Sequence, residues 1–348
     1  MTTALGILTF LIVLAVLILV HELGHFTTAK LMGVRVEEFG LGFPPRLKSW
    51  TRGVTVYSLN AIPIGGFVKM LGENGQESAP DSFGAQAPWR RFIILAAGPA
   101  MNLILAILIF FFVFMVGSPR NTTVLTQVMP ASPAASVGLR TGDRIVRVGR
   151  TPVRYFDQLQ TAMQGHLGKR ITLQVTRGSR QFTASLVPRL HPPPGQGAIG
   201  VQLADTETVS YGVIRSGELA VQQLPDFVSG LPRVAQSVSQ RGGDGLAGPI
   251  GIARVTTSAV QREPSNGIGF LLGLVAFLSL NLGVLNLLPV PALDGGRIVF
   301  VLISWIRRGN LDPELETMVH MVGMAALLLL IVLISYHDLV KWIGGSSF

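Results

Sequence analysis

The chain contains no cysteine, which excludes disulfides and thiolate-bound metal and leaves any metal site to histidine and carboxylate. Charge is also scarce. Asp, Glu, Lys and Arg make up 14% of the 348 residues, against about 25% in soluble domains. Hydrophobic residues reach 49% and the mean hydropathy is +0.49. That balance excludes an ordinary soluble enzyme and a disordered chain, and it indicates an integral membrane protein. Acidic residues are the scarcer sign, 19 against 28 basic ones, for a net charge of +9. The excess has one address: residues 118–190 hold eleven Lys or Arg against Asp143 and Asp157. Such a basic stretch favours acidic peptides or anionic headgroups, or is simply a solvated surface. A domain tied to a membrane argues against nucleic acid as a partner.

What the chain does have is long apolar runs. Ala4 to Val20 carries no charge, and no Lys or Arg precedes Lys30. A cleaved signal peptide would need a basic start, so residues 1–30 read as a first transmembrane helix. Positive charges after the run place its N-terminus outside. Residues 31–91 carry seven Lys or Arg and belong on the cytoplasmic side. Within them Val54 to Leu71 is rich in β-branched residues and interrupted by Pro63, Gly65 and Gly66. This predicts strands or a hairpin with an unpaired edge, either dipping into the membrane beside the first helix or lying in the cytoplasm. Phe92 to Val116 is an uncharged second span, with Gly98, Pro99 and Asn102 in its inner half pointing to packing against protein. Residues 118–190 alternate in short segments, as in a small β-rich domain. A polar linker and a possible amphipathic segment, Val213 to Val238, broken by Pro225 and Pro232, follow in 191–263. Pro264 to Leu293 is uncharged again, with Pro289 and Pro291 predicted to break the third span near its end, and 264–306 is taken as that span. Residues 317–343 supply a fourth. The fold class is thus a polytopic α-helical membrane protein of four transmembrane helices, with an inserted β-rich domain and a membrane-associated β-hairpin. Both termini and the inserted domain are expected outside.

Three polar side chains close the first apolar run: His21, Glu22 and His25. On a helix the two histidines lie one turn apart on one face, where both rings reach a single ion. Glu22 is then placed to hold a water as general base. A soluble helix with two surface histidines is the alternative, and the apolar flank speaks against it. Ionisable groups at membrane depth are functional candidates. A catalytic zinc has three protein ligands and keeps one position open, so one ligand is outstanding. Asp294 is the strongest candidate, because the first and third spans both run inward and reach His21 and Asp294 at similar depth. His320 is also an inner-end residue and stays a rival. His337 falls at the outer end of the last span, and Glu314 is a further carboxylate.

His21-Glu22-Leu23-Gly24-His25, with Asn286-Leu287-Leu288-Pro289-Val290-Pro291-Ala292-Leu293-Asp294-Gly295, resembles the site-2 protease family of intramembrane zinc metalloproteases. The run Ala131 to Ile145 resembles the PDZ domains of bacterial envelope proteases, which makes the chain similar to the RseP group. The resemblance implies zinc bound by His21, His25 and Asp294, with Glu22 as general base of a metalloendopeptidase. It implies that Asn286 binds or orients the substrate backbone, and that Gly65-Gly66-Phe67 belongs to a hairpin pairing with substrate. It further implies regulated intramembrane proteolysis of single-span proteins, such as anti-sigma factors or signal-peptide remnants, in the lipid bilayer of a bacterial inner membrane. The PDZ domain would bind peptide or protein termini. One PDZ-like stretch stands where the best-known enterobacterial members have two. Two other functions fit the composition. A catalytically inactive PDZ scaffold would have no need of a buried polar cluster, and a transporter would show repeated, interrupted halves.

Overall fold

The computed structural model describes residues 2–73, 79–193, 196–203, 205–241, 251–252, 256, 264–309 and 312–343. The backbone divides into two units, 1–115 with 212–348, and 116–211.

The first unit is helical because its apolar runs have no other way to satisfy their backbone groups in lipid. Helices α1 (Thr2–Leu31) and α2 (Pro88–Val116) carry the first two runs. Helix α5 (Val213–Arg241) precedes α6 (Pro264–Asn286), α7 (Asp294–Arg307) and α8 (Pro313–Ile343). Four of these are long and apolar enough to cross a membrane: Leu5–Leu31, Pro88–Val116, Gly269–Asn286 and Glu314–Asp338. The region 264–306 taken as the third span carries the break expected at Pro289 and Pro291, which falls at 287–293 between α6 and the short helix α7. The prolines of α5 behave otherwise. Pro225 and Pro232 lie inside one continuous helix where sequence predicted breaks. Its apolar stripe explains this: Ala220, Leu224, Phe227 and Leu231 pack with Ala106 and Phe110 of α2 and Ala276 and Leu280 of α6. Packing of one amphipathic face outweighs the ~3 kcal/mol that an interior proline costs.

Between α1 and α2 lie two long bent strands, β1 (Val36–Arg52) and β2 (Thr55–Met70), which pair antiparallel. The predicted strand character covered only 54–71. Residues 36–52 join it although Pro44, Pro45 and five charged side chains blur their alternation. Because both strands bend, Phe39, Gly40 and Leu41 face Val68, Phe67 and Gly66 on one side and Tyr57, Ser58 and Leu59 on the other. Residues 66–70 therefore have a partner on one side only among the described pairings. They form an outer edge.

The second unit holds β3 (Ser118–Asn121), β4 (Gln127–Val128), α3 (Pro133–Ser136), β5 (Arg144–Val148), β6 (Thr151–Pro152), α4 (Phe156–Gln164), β7 (Ile171–Arg177), β8 (Arg180–Leu186), β9 (Val201–Gln202) and β10 (Thr206–Val209). A four-stranded sheet runs β6-β5-β7-β8, and β3 and β4 pair with β10 and β9. The unit thus extends past the expected boundary at 190, since its first two strands find partners only after it. Alternating Ile171, Leu173 and Val175 pack with Ile145, Val148 and Leu186 in its core. Asp143 is fully buried and receives both Arg177 nitrogens, at 2.6 and 2.8 Å, and the Arg140 N–H at 2.8 Å. Burial alone would raise its pKa, but these donors hold the carboxyl below its ordinary range.

Candidate metal centre

The site begins where α1 turns polar. His21 and His25 project from one face with their rings edge to face, centroids 4.8 Å apart. Both are buried, and their Nε2 atoms lie 3.2 Å from each other. Asp294, the first residue of α7, closes the triangle: its Oδ2 is 3.0 Å from His21 Nε2 and 3.4 Å from His25 Nε2. Ligands about 2.0–2.1 Å from a tetrahedral zinc stand about 3.3–3.4 Å apart, so the donors already sit at coordination spacing.

Other contacts aim the rings. His25 Nδ1–H donates to the Ile94 carbonyl at 2.8 Å, which leaves its Nε2 as a lone-pair donor. His21 Nδ1 lies 3.3 Å from the side-chain Nδ2 of the fully buried Asn102, whose Oδ1 has no hydrogen-bond partner among the described residues. Turning that amide over lets Oδ1 accept the Nδ1 proton, which leaves His21 Nε2 as a lone-pair donor. Ser279 of α6 in turn donates its hydroxyl to the Asn102 carbonyl at 2.8 Å. The chemistry of this set, two neutral imidazole nitrogens and one carboxylate oxygen with the second nitrogens engaged elsewhere, fits zinc.

Close helix packing makes the arrangement possible. A Cβ on Gly24 would lie 2.3 Å from the Ala97 carbonyl oxygen, and one on Gly98 2.2 Å from His25 Nε2. Only hydrogen fits at either place, so α1 and α2 cross with the imidazole seated on the Gly98 backbone. The hairpin reaches the same spot. A Cβ on Gly66 would lie 3.3 Å from Glu22 Cγ, which sets the outer edge of β2 beside Glu22. Phe67 packs its ring over Gly40, and Gly65 adopts φ +100°. Asn286 is half-buried at the last turn of α6, and no hydrogen bond engages its side chain among the described residues.

Among the described residues, His21, His25 and Asp294 are the group able to hold a metal. His320 points elsewhere, its Nδ1 accepting the Ala292 N–H at 3.0 Å. Glu314 and His337 lie outside the cluster. From sequence Asn102 and Gly98 were read only as marking packing against protein, and the Arg297–Glu73 ion pair was not anticipated. For Asn102 the signal was available: an amide inside an uncharged span is costly unless something uses it.

The model of peptidase family M50 matches residues 9–330. The chain belongs to peptidase family M50. A relative in Clostridium acetobutylicum that carries a zinc-metalloprotease name is 33% identical over 337 residues, covering 96% of this chain and 97% of its own. The zinc metalloprotease RasP of Geobacillus kaustophilus is 27% identical over 420 residues, covering 97% and 98%. That of Bacillus licheniformis is 28% identical, covering 96% and 98%. This M50 peptidase is accordingly a multi-span membrane zinc metalloendopeptidase, and the buried donor triangle suits that activity rather than a binding scaffold.

Proposed function

We propose that the chain cleaves the transmembrane segments of single-span membrane proteins, with His21, His25 and Asp294 as metal ligands and Glu22 as general base. The observation that carries the reading is the open edge at 66–70 lying against Glu22. A membrane-spanning helix hides its amides in internal hydrogen bonds, so a substrate must unwind before it is cut. The freed strand then needs partners in an apolar setting, and the edge beginning at Gly66 and Phe67 offers them. Asn286, whose amide is uncommitted among the described residues, supplies a further backbone contact. Zinc, when bound, lowers the pKa of a water to about 7 and polarises a carbonyl. Glu22 takes the proton from the attacking water and returns it to the leaving amine nitrogen. The Ile94 carbonyl and the Asn102 amide hold the two imidazoles in orientation throughout.

The second unit serves as a PDZ-type module that binds peptide or protein termini and screens substrates, and anti-sigma factors or signal-peptide remnants fit the substrate class. The bacterial inner membrane, with both termini and that module outside, suits the charge distribution. The test is co-expression of the wild type and Glu22→Gln with candidate single-span envelope proteins. A truncated product is expected only with the wild type, since removing a general base costs about 10²–10⁴ in rate. Equal product from both overturns the reading.

A further inference from the structure

His320 stands on α8, a membrane helix that supplies no donor to the site, and it is engaged in a way that the reaction does not explain. Its Nδ1 accepts the Ala292 N–H at 3.0 Å, so the neutral ring carries its proton on Nε2. That Nε2 is buried without a hydrogen-bond partner among the described residues. The ring lies against Phe300 of α7, centroids 5.5 Å apart. Ala292 itself holds φ +78°, a left-handed conformation unfavourable for a residue with a Cβ. One turn along α8, a Cβ on Gly323 would lie 2.3 Å from Pro291 Cβ and 2.9 Å from the Pro291 carbonyl oxygen. Two neighbouring positions of α8 thus grip two neighbouring residues of the break at 287–293. One supplies an acceptor for the strained residue, and the other leaves room for the backbone beside it. Asp294 follows Ala292 by two residues. The rest of the apolar stretch of α8 is largely exposed, so this grip is where the helix meets the site.

We propose that His320, with Gly323, is a positioning clasp: it holds the left-handed turn at Ala292 and so sets the direction of the Asp294 carboxylate toward the two histidines. The inference rests on Asp294 being a metal ligand. His320 is a positioning residue and touches neither metal nor substrate.

The test measures zinc affinity of the purified full-length protein in detergent, by competition with a chelating dye, together with the visible absorption of the cobalt-substituted protein. His320→Leu keeps bulk and removes the acceptor. It should weaken zinc binding roughly 10–100-fold, as loss of an outer contact does elsewhere, and reduce the intense four-coordinate cobalt bands. His320→Asn places an oxygen near the Nδ1 position and should stay within about threefold of the wild type. Ala292→Gly relieves the left-handed strain and, added to His320→Leu, should restore part of the affinity. Gly323→Ala should weaken binding like His320→Leu. Asp294→Ala is measured beside them. Unchanged zinc affinity in Asp294→Ala means that the ligand assignment has failed. Loss in Asp294→Ala with wild-type affinity and spectrum in His320→Leu overturns the clasp. Should His320→Leu fail to fold, the His320→Asn and Gly323→Ala proteins decide: as large a loss in Asn as in Asp294→Ala, or no loss in Gly323→Ala, overturns it.

Discussion

The two sides of the donor triangle are built in opposite ways. His21 and His25 come from one straight helix, so their spacing is set by the helical repeat and their rings are aimed by α2, through the Ile94 carbonyl and Asn102. Asp294 comes from the end of a proline-broken loop, whose Ala292 N–H donates to His320, 28 positions away. The helical side tolerates little change in space, and the loop side little change in support. Helical geometry is local and cheap to specify, whereas a loop must be held from outside, by α8 and by the ion pair of Arg297 with Glu73.

That contrast can be broken most severely at the helix crossing. Gly98→Val puts side-chain atoms where His25 Nε2 sits, so zinc content after purification should fall below a tenth of the wild-type value, read by metal analysis. Next in size, Asn102→Ala should weaken zinc roughly 10–100-fold, with Asn102→Asp retaining more because a carboxylate also accepts the His21 Nδ1 proton. Dye competition checks both. A smaller effect is expected at Arg297, three residues beyond Asp294. Arg297→Met leaves Glu73 without its cation at a half-buried position and should cost about 1–3 kcal/mol, seen as a lower thermal midpoint. Gly66→Val should slow substrate cleavage while leaving zinc affinity within about twofold, separating the edge beside Glu22 from the metal ligands. The smallest effect lies in the second unit. The folded carboxyl of Asp143 titrates below its unfolded value, so its stabilisation is complete above about pH 4 and is lost as pH falls through the depressed folded value. Proteolysis within 117–211 should accelerate on acidification below pH 4, and Arg177→Met should flatten that dependence.

Legibility followed the same division. The apolar runs, the His-Glu-His spacing and the break at Pro289 and Pro291 are written in short stretches of chain and could be read directly. Asp294 was reached by reading the first and third spans as running inward to one depth. The amphipathic stripe of α5 was visible, but its continuity through Pro225 and Pro232 was not, since only contact with α2 and α6 offsets the prolines. His320 was read as a rival ligand on depth alone. Depth cannot tell a ring facing an ion from one facing an amide.

By itself the sequence determined which segments cross the bilayer and which residue types could meet a metal, because hydropathy and helical repeat act over a few turns. Tertiary structure alone decided that three donors stand about 3 Å apart and that an open strand edge lies beside Glu22. Those distances depend on helices crossing at glycines and on a loop gripped by a helix remote in sequence. Contacts between distant residues leave no period to read.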